Sequence, residues 1–243
     1  MLPNERPSLH GAFSTPDTKR TYVRRLFSVI APRYDLITVL LSFGRDREWK
    51  RRLAAMCEPV AGTRVLDLAC GTGDIAFEMG ARGARVVGLD ITHGMLELAM
   101  RKAEAARYRV GFVAGDMGSL PFPAASFDIV TTGYGLRNVP HLAGALAEIH
   151  RVLRPDGRML SLDFNRPAQP IVRGIYLAYL TIVGSVLGAV LHGDADTYRY
   201  IPESIRRYPG AAGVSSLARE AGFRSCAHVR VLGGFMAIHV ATK

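Results

Sequence analysis

Val65 to Asp74 reads V-L-D-L-A-C-G-T-G-D, and the fold is decided by what this stretch is. Val65, Leu66 and Leu68 make an apolar run of buried-strand length. Gly71-Thr72-Gly73 follows, where two glycines allow a sharp turn and a close ligand approach that a Cβ would block. Asp74 then opens an amphipathic run carrying Ile75, Phe77 and Met79. The glycines therefore sit between a strand and a helix N-terminus, the junction at which open α/β sheets bind ligands. The pattern is D-x-x-x-G-x-G with no Lys-Ser/Thr behind it, so it is not a phosphate-cradling P-loop.

A second apolar run, Arg85 to Leu89, ends on Asp90, an acid placed to accept hydrogen bonds from a ribose diol. A third, Val110 to Ala114, leads to Asp116-Met117, a polar edge beside an apolar wall suited to an adenine. A dinucleotide site would want G-x-G-x-x-G/A, whereas this chain has Phe77 at the third position, too large for close helix–strand packing. An adenosyl ligand without a pyrophosphate fits better. The glycine motif and the strand-end acids together resemble the class I S-adenosylmethionine (SAM) methyltransferases. That resemblance implies an α/β, Rossmann-like, seven-stranded sheet with helices on both faces and a terminal antiparallel hairpin.

At 243 residues, nearly half of them apolar, the chain can bury one sizeable α/β core. The net charge of +10 implies an anionic partner, and charge alone leaves nucleic acid, anionic lipid and acidic substrates open. Cys57, Cys70 and Cys226 are too few and scattered for a disulfide framework or a zinc site, so a cytoplasmic setting and no metal are expected. Residues 1–18 carry prolines and no signal-peptide core, and read as a disordered leader or a docking arm.

The rest, 19–243, reads as a single domain. Thr21 to Ile30 places Tyr22, Val23, Leu26, Phe27 and Ile30 on one helical face, and Pro32 ends that helix. With Tyr34 to Arg52 it reads as a lid, 19–60, bearing a basic cluster Arg45 to Arg52 toward a membrane surface, or as a helix pair packed on the sheet with a solvated basic turn. Strand four is Phe127 to Thr132, and Pro140 opens a helix through Leu146 to Val152. Pro155-Asp156-Gly157 is a turn before strand five, Arg158 to Phe164. Arg224 to Leu232 and Phe235 to Ala241 form the hairpin around Gly233-Gly234. Five helical crossovers are expected. An insertion, 167–213, contains an uncharged run from Gly174 to Leu191 that just reaches transmembrane length. Inside one compact domain it suits a greasy wall or an interfacial element better than a span.

Four blocks then resemble one family: Y-D-L…S-F-G-R-D-R-E-W-K-R (Tyr34 to Arg51), L-D-L-A-C-G-T-G-D, G-L-R-N-V (Gly135 to Val139) and D-A-D-T-Y-R-Y-I-P-E-S-I-R (Asp194 to Arg206). They are similar to the ubiquinone/menaquinone biosynthesis C-methyltransferases, which methylate a ring carbon of a polyprenylated quinol. The resemblance implies SAM contacts at Thr72, Asp90, Asp116, Met117 and Gly133, with Asp67, Gly71 and Gly73 in the cofactor loop. Gly133 stands where several relatives have Ser. Thr38 stands where the family often has Asn, Asp46 where it often has His, and Pro140-His141 where an acid is common.

Carbon methylation needs the ring oriented against the methyl, phenolate-like charge stabilised, and a ring proton accepted. Arg137 suits the second task, or is a buried clamp for a carboxylate, and is a poor base unless water relays the proton. Asn138 can hold a carbonyl or hydroxyl. Tyr34, Asp163 and His141 are candidates for proton transfer. Competing readings are methylation of another lipid-like amphiphile, such as a phospholipid amine, or a non-catalytic subunit of the same fold. Nucleic acid fits poorly with the uncharged run. The partners implied are a prenylated quinol, an anionic membrane touched peripherally, and a homo-oligomer or quinone-biosynthesis complex.

Overall fold

The computed structural model describes residues 9, 11–42 and 44–243. β1 (Arg64–Leu68) lies between β2 (Arg85–Asp90) and β4 (Phe127–Gly133), with β3 (Val110–Ala114) outside β2 and β5 (Leu153–Phe164) outside β4, all parallel. β7 (Met236–Thr242) pairs antiparallel with both β5 and β6 (Ser225–Val231), giving the order β3-β2-β1-β4-β5-β7-β6. The strand order reverses between β1 and β4, and at such a switch point a crevice opens beyond the strands' C-terminal ends. The expected seven-stranded sheet and terminal hairpin are both present.

Alternation along β1 sends its side chains to opposite faces. Val65 joins α3 (Asp46–Cys57), α4 (Asp74–Ala81) and α7 (Pro170–His192) in one core, through Trp49, Leu53, Ile75, Met79 and Leu180. Leu66 and Leu68 join α6 (Leu142–Val152) and α9 (Gly210–Glu220) in the other, through Leu146, Ile149 and Val214. α5 (His93–Ala106) links β2 to β3. A third cluster caps the strand ends. In it Tyr22, Leu26 and Ile30 of α1 (Pro16–Ile30) and Ile37 and Leu41 of α2 (Tyr34–Leu41) meet Met95, Tyr198 and Tyr200.

Several expectations change. α1 starts at Pro16, because Thr15 and Thr18 form a reciprocal capping box. Of the expected leader, residues 1–8 and 10 lie outside the described residues, while Ala12 is buried and Phe13 stacks on Tyr200. The expected lid splits in two: α1 and α2 cover the strand ends, but α3 packs on the sheet. No helix is present between β3 and β4 among the described residues, since Pro121 and Pro123 interrupt that segment. The Pro155-Asp156-Gly157 turn falls inside β5, where pairing jumps from Phe127↔Leu153 to Ile129↔Arg158. α6 begins at Leu142, after His141 as its N-cap, so Pro140 stands outside it.

α7 is long and apolar enough to cross a bilayer, but one edge packs on the domain. Gly184 and Gly188 on that edge let the 194–198 segment press against it: a Cβ on Gly184 would stand 3.2 Å from Tyr198 Cβ, and one on Gly188 would meet the Asp194 carbonyl. The opposite edge, Ile171, Ile175, Ile182, Val186 and Val190, is exposed. α8 (Tyr200–Arg207) then returns the chain to the sheet, where Ile205 enters the first core.

Candidate active site

Two chambers open at the crevice. The first, of about 680 Å³, is lined by Gly71, Asp90, Asp116, Met117, Gly133 and Asn138 from the strand ends, and by Arg20, Val23, Phe27 and Tyr34 from the cap. Asp90 is buried, and its oxygens accept from Gly71 N–H (2.9 Å) and Thr92 N–H (2.8 Å). Burial raises its pKa against those two bonds. Each oxygen keeps a lone pair for a diol. Asp116 accepts from Gly118 N–H at 2.8 Å and from Arg20 Nε at 2.7 Å, so α1 is tied across the adenine-sized end.

The chamber continues past Gly133 into a polar recess between Asp67, Thr72, Asp74 and Lys50. Asp67 Oδ1 accepts from Thr131 (2.8 Å), while Oδ2 is buried with no partner among the described residues. Burial pushes its pKa up to about 7, against the Thr131 and Ala76 hydrogen bonds. A ligand ammonium would complete this carboxylate. Gly73, at φ 93°, cannot carry a Cβ without striking Phe77 Cζ at 2.6 Å. A Cβ on Gly133 would stand 2.7 Å from Ile75 Cδ1, the movable end of that side chain. An adenosyl group, a diol and an ammonium are the features of SAM, and these residues fit it.

Lys50 stands apart from the exposed arginines of its block. It is buried, 2.7 Å from Asp46 and 2.9 Å from Asp74. Burial alone would lower its pKa, but the two carboxylates outweigh it and hold the ammonium charged. Asp46 also accepts from Tyr134 Oη at 2.8 Å. Beside this cluster Asp35 of α2 accepts from Thr72 Oγ1 (2.7 Å) and Lys102 Nζ (2.6 Å), fastening the cap to the glycine loop.

The second chamber, of about 580 Å³, is mostly apolar. Leu26, Phe27, Ile30, Ile37 and Leu41 form one side, and Tyr34, Tyr134, Phe164, Tyr198, Tyr200 and Arg137 complete it. Phe27, Tyr34 and Tyr134 are walls of both chambers, so the two adjoin there. Arg137 is the cation in this wall. Its Nε lies 3.3 Å from Asp163 Oδ1, its Nη1 donates to Ser204 Oγ, and Nη2 has no partner among the described residues. Its Cζ sits 5.1 Å from the Phe164 ring centroid.

Of the expected catalytic residues, Tyr34, Asn138 and Arg137 meet at the chambers. Asn138 Nδ2 donates to the Tyr134 carbonyl (2.7 Å), which leaves Oδ1 as a buried, unpaired acceptor. Asn138 can therefore take a hydroxyl through Oδ1. Burial raises the Tyr34 pKa. Asp163 lines neither chamber: it accepts from the Arg137 and Phe164 N–H groups and the Arg137 guanidinium. Burial lifts its pKa while Arg137 opposes the rise. His141 is exposed and lines neither chamber.

Sequence reasoning missed Lys50, read as part of a solvated turn, and Arg20, Asp35 and Tyr200. It also missed Lys19, whose ammonium donates to the Arg137 and Val139 carbonyls and pins the G-L-R-N-V loop. Burial, with Arg137 close by, lowers the Lys19 pKa to about 8. The signal for Lys50 and Tyr200 was their place inside the two long family-like blocks.

The fold recurs in solved structures. A SAM-dependent methyltransferase from Thermotoga maritima superposes with a TM-score of 0.66 at 16% identity, over 91% of this chain and 99% of that one. Another from Aquifex aeolicus gives 0.59 at 16%, over 79% and 88%. Curated relatives are nearer in sequence. The chain is 42% identical to a demethylmenaquinone methyltransferase of Thermus thermophilus over 90% of its own length and all of that protein. It is 39% identical to a ubiquinone/menaquinone biosynthesis C-methyltransferase UbiE of Paracoccus denitrificans over the full length of both. It is 35% identical to the human mitochondrial 2-methoxy-6-polyprenyl-1,4-benzoquinol methylase over 96% and 84%. The family profile spans residues 15–243, from the Thr15 cap through both chambers to the last strand, and the chain belongs to the ubiE/COQ5 methyltransferase family.

Proposed function

We propose that this chain transfers the methyl group of SAM to a ring carbon of a prenylated demethyl-quinol, working peripherally at an anionic membrane. The observation that carries the reading is the apolar chamber meeting the SAM-fitting chamber at Tyr34 and Tyr134, with Arg137 in its wall. The names of the relatives agree with it.

SAM supplies an electrophilic methyl on its sulfonium. Asp90 and Asp116 hold its ribose and adenine, and Asp67 takes its ammonium. Phe27, Tyr34 and Tyr134 bring the acceptor ring against the methyl and exclude water. Arg137 offers Nη2 to the ring oxygen on which charge develops, and Asp163 acts through Arg137 as a positioning residue. Asn138 Oδ1 accepts a ring hydroxyl. Tyr34, which lines both chambers, would relay the ring proton to water, its phenol giving up one proton as it takes the other.

The exposed edge of α7, and Leu36 and Leu40 on α2 outside the acceptor chamber that α2 helps to line, present apolar side chains, and a prenyl tail needs such a surface. Arg47 and Arg52 remain exposed for anionic lipid, whereas Arg45 and Arg51 pair with Glu48 and Glu78. Buried free thiols at Cys57, Cys70 and Cys226 accord with a reducing compartment. The deciding experiment is transfer of labelled methyl from SAM to a short-chain demethylmenaquinol and to its benzoquinol counterpart, with phosphoethanolamine as the competing acceptor. Methylation of the amine alone would overturn the quinol reading.

A further inference from the structure

We infer that the Tyr200 hydroxyl binds an oxygen of the acceptor ring, which makes Tyr200 an acceptor-binding residue of the second chamber. The inference rests on the quinol reading above. Tyr200 is 1% exposed and lines the apolar chamber beside Arg137. Its ring is held by Phe13, stacked at 5.6 Å between centroids, and by Tyr22 at 5.4 Å. A phenylalanine would satisfy those contacts equally well. The hydroxyl is a different matter: it is buried and has no hydrogen-bond partner among the described residues. A buried polar group left unpaired is costly, and such exceptions in a folded protein call for a ligand or water to complete them.

The surroundings narrow what completes it. The chamber walls are mostly aliphatic and aromatic, with Thr38, Ser42, Thr197 and Arg137 as polar members, so its occupant is largely apolar. The charge of Arg137 acts on the same hydroxyl. A neutral O–H and a guanidinium on two residues that line one chamber suit an oxygen acceptor carrying partial negative charge. A ring hydroxyl that ionises during carbon methylation is such a group. The prenyl tail offers no polar atom and would leave both donors unsatisfied. Tyr208 provides a contrast within the fold. Its hydroxyl is also buried and unpaired, but it lines neither chamber.

Tyr200→Phe and Tyr208→Phe separate the two situations. Steady-state methylation of a short-chain 2-prenyl-1,4-naphthohydroquinone, kept reduced, is measured for both variants, with SAM affinity by calorimetry and melting temperature in parallel. Tyr200→Phe should raise KM for the hydroquinone about five- to tenfold, the scale of one hydrogen bond to a partly charged oxygen. SAM affinity should hold, and melting should stay the same or rise, because the substitution removes an unsatisfied group. Tyr208→Phe should leave KM at the wild-type value. Wild-type turnover with KM and kcat unchanged in Tyr200→Phe would overturn the inference and leave the quinol reading standing. A raised KM accompanied by weaker SAM binding and lower melting would also overturn it, by making Tyr200 a packing residue. No wild-type methylation of the hydroquinone would overturn the quinol reading, and this inference with it.

Discussion

Asp67→Asn should make the free protein more stable at pH 8 while weakening its hold on SAM. Asp67 is 1% exposed, and burial lifts its pKa from 3.8 to about 7. Between those values the folded chain keeps a proton that the unfolded chain has lost. The contribution to stability is therefore fullest below pH 3.8 and is lost as pH rises through 7. At pH 8 the ionised side chain costs on the order of 4 kcal/mol, about three pKa units at 1.36 kcal/mol each. Asparagine can keep the bond from Thr131 but leaves its own amide N–H₂ unpaired, which returns about 1–3 kcal/mol. Urea titration should show the variant about 1–3 kcal/mol more stable at pH 8 and the gain shrinking toward pH 5. For SAM, the ionised carboxylate is the binding form. Wild-type affinity should fall about tenfold from pH 8 to pH 6 through this group, and the variant should lack that dependence. A variant less stable at pH 8, or one whose gain ignores pH, would refute the buried, unpaired carboxylate.

Arg137→Ala leaves Asp163 buried without its cation and should cost about 3–5 kcal/mol of stability by denaturant titration; a loss below about 1 kcal/mol would rule out the pairing. In single-turnover assays on folded protein the same variant should be slower by about 10²–10³, with SAM affinity kept. Gly73→Ala meets both a positive φ and Phe77, so it should destabilise by about 1–3 kcal/mol and weaken SAM in calorimetry. Gly62→Ala, at φ 87° with open space around it, supplies the comparison for backbone strain alone. Ile175→Glu with Ile182→Glu should abolish flotation with anionic vesicles, since each isoleucine brings about 1.5–3 kcal/mol on burial. Turnover of a short-chain acceptor should be unchanged, and undiminished flotation would remove α7 from the membrane face.

The parallel strands, the glycine loop and the hairpin were legible because they are local patterns: an apolar run, a pair of glycines, a period of two. Asp90, Asp116 and Met117 followed, since strand ends in such a sheet converge. The failures share a different physical cause. Lys50 looked like one more position in a basic surface run, and Asp74, 24 residues on, joins Asp46 in pairing it as a buried ion. Whether Arg137 served the chamber or Asp163 was open from sequence, and the fold shows both contacts on one guanidinium. Asp163, read as a candidate for proton transfer, lies behind the chamber wall with its oxygens bonded to Arg137 and Phe164, a pairing that no local pattern announces. Tyr200 is invisible to periodicity, because its meaning lies in a bond that it does not make.

The ties between cap and sheet bear on how quickly one cofactor molecule can replace another. Arg20–Asp116 closes the adenine end through side chains that are 43% and 26% exposed, so dissolved ions reach that pair and weaken it. Asp35–Thr72 at the loop is no more buried, its carboxylate being 47% exposed, but its partner is a neutral hydroxyl, so charge screening acts on it far less. Raising ionic strength therefore loosens one end of the cleft and leaves the other fastened.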